Sequence, residues 1–199
     1  MKKTIAILGS TGSIGKNLIK IIKKNKYDFK VELLSTNKNY KELIKQAVRF
    51  NVKNIIINNE TSYQAALKEK LNKKIRIHNS FDKFNKIFKK KIDYTMSSIT
   101  GLDGLKPTLD IIKHSKTIAI ANKESIICGW NLISKEIKKH KVNFIPVDSE
   151  HFSIWFALKS QKKNTIVKNL YLTASGGPFY NLPLSKFRKV KINEALKHP

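Results

Sequence analysis

Residues 4–15, Thr4-Ile-Ala-Ile-Leu-Gly-Ser-Thr-Gly-Ser-Ile-Gly15, join a short apolar run to a turn that contains three glycines. The run predicts a strand buried on both faces, and residues 13–24 then repeat apolar side chains at helical spacing. Glycines in such a turn let the backbone approach a pyrophosphate, which free N–H groups at the helix N-terminus would bind. The spacing is G-x-x-G-x-x-G rather than G-x-G-x-x-G, so a glycine-rich turn without a ligand is the alternative interpretation.

The alternation of apolar strand and amphipathic helix continues as far as Val147. It predicts an α/β fold, with a Rossmann-like, mostly parallel sheet and helices on both faces. Further strands are expected at residues 31–34, 54–57, 75–77, 92–96, 117–120 and 142–147, and further helices at 40–50, 61–71, 81–88, 102–114 and 124–139.

The pattern changes after Glu150. Residues 152–158 predict a helix, residues 166–173 predict a strand, and a glycine-containing loop follows. We therefore predict two domains, with residues 1–147 forming the Rossmann-like domain and residues 148–199 forming the beginning of a second, α+β domain.

The segment Pro146-Val-Asp-Ser-Glu-His151 places two carboxylates directly after a predicted strand. If the chain stays extended there, Asp148 and Glu150 point to the same side, because side chains alternate along a strand. Two carboxylates one such step apart can share a hard divalent cation. The alternative is an exposed acidic turn with Glu150 capping the next helix.

The turn after the second predicted strand, Ser35-Thr-Asn-Lys-Asn39, contains no acidic residue. A dinucleotide with a free ribose 2′-hydroxyl usually meets Asp or Glu at this place. Lys38 and the two amides beside it could instead hold a 2′-phosphate, so the turn favours NADP over NAD. The alternative is that Lys38 is one more exposed lysine.

Two other segments carry polar groups where ligands bind. Ala121-Asn-Lys-Glu-Ser125 follows the strand predicted at 117–120, at the sheet edge where open parallel sheets form sites. Lys123 could bind a hydroxyl or polarise a carbonyl oxygen there, although a helix start with Asn122 as its cap explains the segment slightly better. In Ser175-Gly-Gly-Pro178, successive N–H groups could bind an anion, and a simple turn is the commoner explanation.

The formal charge of +26 does not by itself indicate a nucleic-acid partner. Arginine reads bases and phosphates better than lysine, yet only three residues are arginines and the lysines are spread along the chain. A positive field would instead steer phosphorylated substrates. The N-terminal apolar run is too short for a signal peptide or a membrane span, so we expect a cytoplasmic protein. The single cysteine, Cys128, excludes an internal disulfide framework.

Taken together, the segments at 9–15, 121–125, 146–151 and 175–179 resemble the signature segments of one family, 1-deoxy-D-xylulose 5-phosphate reductoisomerase, in order and approximate spacing. The resemblance extends over the whole chain. It implies isomerisation and reduction of 1-deoxy-D-xylulose 5-phosphate to 2-C-methyl-D-erythritol 4-phosphate, a step of non-mevalonate isoprenoid biosynthesis. In the family a C–C bond is cleaved and rejoined, and NADPH then delivers hydride, with Mg²⁺ or Mn²⁺ as the metal. The full-length form is expected to be a homodimer.

The resemblance also implies roles for individual residues. The cofactor contacts would come from the glycine turn, the turn after the second strand and the helix start at 122–124: Thr11, Gly12, Ser13, Ile14, Asn37, Lys38, Asn39, Asn122 and Glu124. Asp148 and Glu150 would be metal ligands and, with Lys123, catalytic. The substrate contacts would be Lys123, Ser149, Glu150, Ser175 and His198. The sequence departs from the family at Asn37, where glycine is usual.

The chain of 199 residues covers about half of the family's length. A third carboxylate ligand and the rest of a substrate-covering loop would follow Pro199, so we expect cofactor binding without turnover. Two alternatives stay open. The first is another NADP-dependent oxidoreductase without a metal, which would leave Asp148 and Glu150 without a role. The second is a nucleic-acid-binding α/β domain, suggested by the charge.

Overall fold

The computed structural model describes residues 2–69, 74–161, 166–171 and 177–196. The chain divides between Asp148 and Ser149 into two compact units. Each unit is described separately below.

In the described part of the first unit, seven parallel strands form one sheet in the order β4-β3-β2-β1-β5-β6-β7. The strands are β1 (Lys3–Leu8), β2 (Phe29–Thr36), β3 (Asn54–Ile57), β4 (Arg76–His78), β5 (Ile92–Ser97), β6 (Ser115–Ile120) and β7 (Asn143–Pro146). The helices are α1 (Ser13–Lys24), α2 (Tyr40–Phe50), α3 (Glu60–Leu67), α4 (Phe84–Ile87), α5 (Leu105–Ile112) and α6 (Lys123–His140), with 3-10 turns at Phe81–Lys83 and Leu102–Gly104.

Alternate residues of the strands supply two cores, one on each face of the sheet. In β1, Ile5 and Ile7 join the first core, and Ala6 and Leu8 join the second. Each fully buried Ile or Leu contributes about 1.5–3 kcal/mol through removal of apolar surface from water. The apolar run at 4–8 is continuous because both of its faces are covered.

A one-residue bulge in β2 shifts the register of its pairing with β1. Val31 pairs with Ile5, whereas Leu33 pairs with Ala6, so the register shifts past Glu32. The shift delivers Leu33 to the core that contains Ala6, and the next residue of β2 to the core that contains Ile5. An uninterrupted strand would have placed positions 31 and 33 on the same face.

Helices cover both faces, which confirms the predicted fold class. The first core receives Ile19 and Ile22 of α1 and Leu43 and Ala47 of α2. The second core receives buried residues of α5 and α6: Ile111, Ile112 and Ile133. No helix among the described residues has the length and apolar character needed to cross a membrane.

The structure corrects two local predictions in the first unit. The helix predicted at 61–71 extends only from Glu60 to Leu67 as α3, and Asn59 caps it, because its Oδ1 accepts a hydrogen bond from the Ser62 N–H at 3.0 Å. The helix predicted at 102–114 starts as a 3-10 turn and becomes α-helical only at Leu105.

The second unit contains α7 (Ser149–Lys159), α8 (Ile192–Ala195) and 3-10 turns at Gly177–Phe179 and Leu184–Lys189. Three aromatic rings lie along α7, with centroids of Phe152 and Trp155 5.6 Å apart and those of Phe152 and Phe156 6.0 Å apart. The strand predicted at 166–173 is wrong over 166–171, where the residues are exposed and pair with no strand. Apolar alternation alone does not make a strand when no neighbouring backbone accepts its hydrogen bonds.

Candidate functional site

The order of the strands places a crevice beside the glycine turn. Strand β1 lies at the centre of the sheet, and the chain extends from it through β2 on one side and through β5 on the other. The loops that follow β1 and β5 therefore leave the sheet in different directions at its carboxyl edge. Open α/β sheets bind ligands at such a topological switch point.

A cleft of about 480 Å³ occupies this position. It is bounded by the loops that follow the first five strands of the chain. The residues that line it are Gly9, Thr11, Gly12, Ser35, Thr36, Asn37, Lys38, Asn39, Asn58, Phe81, Ser98, Ile99, Thr100 and Asp103. All of them belong to the first unit.

Two glycines of the turn are required by its geometry. Gly9 has φ +80°, and a Cβ there would lie 2.7 Å from the carbonyl oxygen of Ser98. At Gly15, the first buried residue of α1, a Cβ would lie 2.6 Å from the Cα of Ser10. Any side chain at these positions would push the turn away from β5 or from α1. The glycines thus bring the turn, the helix N-terminus and the β5 loop together.

Hydrogen bonds hold the turn against the ends of two strands. The Gly9 N–H donates to Ser35 Oγ at 3.0 Å, and the Ser10 N–H donates to the Ser35 carbonyl at 2.9 Å. On the other side, Ser98 Oγ donates to the Leu8 carbonyl at 2.7 Å. The turn is therefore fixed from both β2 and β5, and the N-terminus of α1 is held at the cleft.

The turn after β2 offers donors to the same cleft. Asn37, Lys38 and Asn39 are exposed and line it. The Asn39 side chain caps α2, because its Oδ1 accepts from the Glu42 N–H at 3.3 Å. Capping uses the amide oxygen and leaves the amide N–H groups as donors. This arrangement presents a lysine ammonium, amide donors and a helix N-terminus, which together suit an anion.

Asn122 has a structural role in this arrangement. It is 3% exposed, and its Oδ1 caps α6 by accepting from the Ser125 N–H at 2.8 Å. Its Nδ2 donates to the carbonyl oxygens of Ile99 and Gly101. The interpretation as a helix cap is confirmed, and Asn122 also attaches the β5 loop to the start of α6. Its contact with a cofactor stays a prediction.

Lys123 and Asp148 follow neighbouring strands. The Val147 N–H donates to the Ile120 carbonyl at 2.9 Å, which extends the pairing of β6 with β7. Because the strands are parallel, Lys123 and Asp148 leave the sheet at the same edge as the glycine turn. Glu124 is exposed in the first turn of α6.

The geometric argument for the acidic pair is wrong. Strand β7 ends at Pro146, and Ser149 and Glu150 are the first residues of α7, so the chain is not extended from 148 to 150. Ser149 Oγ donates to Glu150 Oε2 at 2.9 Å. Asp, Ser and Glu are favoured at helix starts, where they compensate free N–H groups and the helix dipole. The structure places the exposed Glu150 inside the first turn of the helix rather than at its cap, and its role as a metal ligand stays a prediction.

The remaining predicted site residues lie outside this cleft or outside the described residues. Ser13 and Ile14 form the first turn of α1 and are exposed. Ser175 and His198 lie outside the residues that the structure describes. Among the described residues, no group of three or more His, Cys, Asp and Glu side chains is arranged to hold a metal ion.

Sequence reasoning missed the six of the fourteen cleft residues that follow β3, β4 and β5. Asn58 follows β3, Phe81 follows β4, and Ser98, Thr100 and Asp103 follow β5. None of these segments contains a recognisable motif. The signal that could have found them is topological, since residues directly after strands that neighbour β1 line a switch-point crevice.

Two family models match the chain. The model for 1-deoxy-D-xylulose 5-phosphate reductoisomerase matches residues 5–129, and the model for the C-terminal domain of the same enzyme matches residues 144–199. The chain is 61% identical to the 1-deoxy-D-xylulose 5-phosphate reductoisomerase of Pelagibacter ubique (strain HTCC1062), over 99% of this chain and 51% of that protein. It is 38% identical to the enzyme of Wolbachia pipientis subsp. Culex pipiens (strain wPip), over 99% of this chain and 50% of that protein.

Solved structures agree with these relatives. The reductoisomerase from Zymomonas mobilis in complex with NADPH superposes with a TM-score of 0.80 and 32% identity, covering 100% of this chain and 52% of that one. A DOX-P reductoisomerase in complex with NADPH, fosmidomycin and magnesium gives a TM-score of 0.74 and 28% identity, over 99% of this chain and 51% of that one. The chain thus spans about half the length of the relatives it matches.

Proposed function

The chain belongs to the 1-deoxy-D-xylulose 5-phosphate reductoisomerase family, and we propose that its first unit binds NADPH in the cleft between the glycine turn and the turn after β2. One observation carries the proposal: one cleft at the switch point is lined both by Gly9, Thr11 and Gly12 of the glycine turn and by Asn37, Lys38 and Asn39 of the turn after β2. The known complex of a family member with NADPH supports the same choice of cofactor.

The cleft fits the chemistry of this dinucleotide. The pyrophosphate would lie against Thr11, Gly12 and the N-terminus of α1, where backbone N–H groups and the helix dipole favour negative charge. The 2′-phosphate would lie against Lys38, the Asn39 amide and the N-terminus of α2. A cofactor without this phosphate would leave the Lys38 ammonium facing no anion, so the turn selects NADPH over NADH.

We further propose that the enzyme converts 1-deoxy-D-xylulose 5-phosphate to 2-C-methyl-D-erythritol 4-phosphate. Residues 1–147 would be the NADPH-binding domain, and residues 148–199 would be the beginning of the metal- and substrate-binding domain. NADPH supplies the hydride when bound. In this proposal Glu124 contacts the cofactor, Lys123 binds a substrate oxygen, and Ser149, Ser175 and His198 contact the substrate.

The metal part of the proposal rests on the donor set. Asp148 and Glu150 offer carboxylate oxygens, the ligands that Mg²⁺ and Mn²⁺ prefer. Such a metal would act as a Lewis acid on the oxygen atoms of the substrate. A family member with bound magnesium supports this choice. We also propose that the enzyme acts as a cytoplasmic homodimer on a small phosphorylated substrate, without a nucleic-acid partner.

Cofactor discrimination tests the proposed function. We would titrate NADPH and NADH separately into the unsubstituted chain and into Lys38→Ala and Lys41→Ala, following the fluorescence of the reduced nicotinamide. Lys41 is the matched control, because it is an exposed lysine of the first turn of α2 that does not line the cleft. Lys38→Ala should raise the Kd for NADPH about tenfold through loss of a charge-assisted contact.

The same titration has clear contrary outcomes. The Kd for NADH should be unchanged in Lys38→Ala, and both constants should be unchanged in Lys41→Ala. Equal weakening by the two lysine substitutions would indicate a general charge effect and would contradict the placement of the 2′-phosphate. No binding of NADPH by the unsubstituted chain would contradict the proposed function as a whole.

A further inference from the structure

Four hydroxyl-bearing residues join the glycine turn to the end of β2, and we call this contact line the hydroxyl seam: Ser10, Thr11, Ser35 and Thr36. Ser35 bonds to backbone atoms of the turn, as described above. The Thr11 and Thr36 side chains contact each other directly, with their Oγ1 atoms 2.6 Å apart. This short O–H···O distance joins the one hydroxyl of the turn that lines the cleft to the last residue of β2.

The strand does not need a hydroxyl at position 36. Thr36 is 4% exposed, and its backbone carbonyl accepts from the Asn58 N–H at 3.1 Å. Valine has the same shape and a similar preference for strands, so packing and pairing would be satisfied without the oxygen. A buried hydroxyl needs a hydrogen-bond partner, and in the described chain the partner of Thr36 is Thr11.

Counting hydrogens shows what the pair can offer to a ligand. Each threonine hydroxyl has one hydrogen, and the bond between the two uses one of them. Among the described residues neither hydroxyl has another hydrogen-bond partner. One hydroxyl hydrogen is therefore left over, and both residues line the cleft. An anion in the cleft would orient the pair so that Thr36 donates to Thr11 and Thr11 donates to the anion.

We propose that Thr36 is a positioning residue for the cofactor pyrophosphate, acting through Thr11, an inference that rests on the proposed NADPH site. The bond from Thr36 fixes the Thr11 side chain with its hydrogen toward the cleft. It also polarises the Thr11 hydroxyl, because hydrogen bonds in a chain strengthen one another. The pyrophosphate is common to NADPH and NADH, so Thr36 acts on both cofactors, whereas Lys38 acts on NADPH alone.

A double-mutant cycle on the full chain tests this inference. The variants are Thr36→Val, Thr36→Ser, Thr11→Val and the double variant with valine at both positions, each titrated with NADPH and with NADH. Thr36→Val should raise both Kd values by the same factor, about three- to tenfold, as expected for loss of one hydrogen bond. Thr36→Ser keeps the hydroxyl and should stay within about twofold of the unsubstituted chain. In the Thr11→Val background, Thr36→Val should have no further effect.

Each other outcome overturns the inference. If Thr36→Val changes neither Kd, or lowers only the midpoint of thermal unfolding, the hydroxyl pair is structural. If Thr36→Ser raises the two Kd values as much as Thr36→Val does, the shape of the side chain matters and the hydroxyl does not. If Thr36→Val is equally harmful with and without Thr11, the two residues act independently. Failure of the unsubstituted chain to bind NADPH would instead contradict the proposed function on which the inference rests.

Discussion

The two units differ in how they treat apolar side chains. In the first unit, apolar residues of strands and helices are packed into two cores that sandwich the sheet. In the second unit, none of the described residues is buried, and large apolar side chains such as Phe152, Phe156 and Leu184 are exposed. Among the described residues, apolar side chains are therefore fully buried only where paired strands fix the positions of the covering elements.

The difference also locates the parts of the proposed enzyme. The residues that line the cleft all belong to the first unit, and hydrogen bonds from neighbouring strands hold the loops that carry them. Rigid elements hold binding groups in place more accurately than exposed segments do. We therefore expect nucleotide binding to depend on the first unit, and substitutions there to have the larger effects.

The largest expected effect is loss of a core side chain. Leu43 of α2 is fully buried, and Leu43→Ala should lower the free energy of unfolding by about 2–5 kcal/mol, through lost burial and the cavity left behind. The matched variant in the second unit is Phe156→Ala. The Phe156 side chain is 61% exposed, so this substitution should change the free energy of unfolding by less than about 0.5 kcal/mol. Urea unfolding followed by circular dichroism measures both, and equal losses would contradict the comparison.

A smaller effect is expected from the glycine turn. Gly9→Ala should destabilise the first unit by about 2–3 kcal/mol, because the residue has φ +80° and its Cβ would meet the Ser98 carbonyl. Gly12→Ala is the control, because Gly12 of the same turn has φ −74° and its added Cβ would meet no atom closer than 3.4 Å, so the free energy of unfolding should change by less than about 1 kcal/mol. Thermal unfolding of the two variants compares them. Equal changes in the two variants would contradict the requirement for glycine at position 9.

The smallest effect concerns acid stability at the amino ends of the strands. The Lys116 ammonium, at 2.7 Å from Asp93, and the hydrogen bonds from Thr4 hold the pKa of the Asp93 carboxyl well below its usual range. A lowered pKa in the folded state means stability that is present above the unfolded pKa, about 3.9, and is lost as the pH falls toward the folded value.

Asp93→Asn should therefore lower the free energy of unfolding by about 1 kcal/mol at pH 7, and the loss should shrink as the pH falls below about 4. The exposed Asp28 provides the control variant, Asp28→Asn, which should change the free energy of unfolding by less than about 0.5 kcal/mol at pH 7. Urea unfolding at pH 7 and pH 3 measures the difference. If Asp93→Asn lowers the free energy of unfolding equally at the two pH values, the charge of Asp93 does not stabilise the fold.

Local pattern predicted much of the first unit from the sequence. The bounds of α1, α2 and β3 agree with the prediction, because apolar periodicity and the residues that end each element all lie within the segment. The cleft residues Thr11 and Lys38 were also predicted, since each belongs to a turn with a known relation to its strand.

The rest of the site depends on strand order and on contacts between distant positions, which the local sequence of a segment does not reveal. Phe81 and Ser98 reach the cleft because of the strand order, which local pattern does not determine. The extended geometry assigned to Asp148 and Glu150 failed because the same polar residues that suit a strand end also suit a helix start. The contact between Thr11 and Thr36 could not be predicted from local pattern either, because the two residues lie 25 positions apart in the sequence.

Hydrogen–deuterium exchange with and without NADPH tests most directly whether the nucleotide site lies in the first unit. On the full chain, saturating NADPH should slow exchange of backbone amides at residues 9–15, 35–39 and 98–103, and should leave residues 184–195 unchanged. Slowed exchange confined to the second unit, or none at 9–15 when NADPH is bound, would contradict the assignment of the cleft.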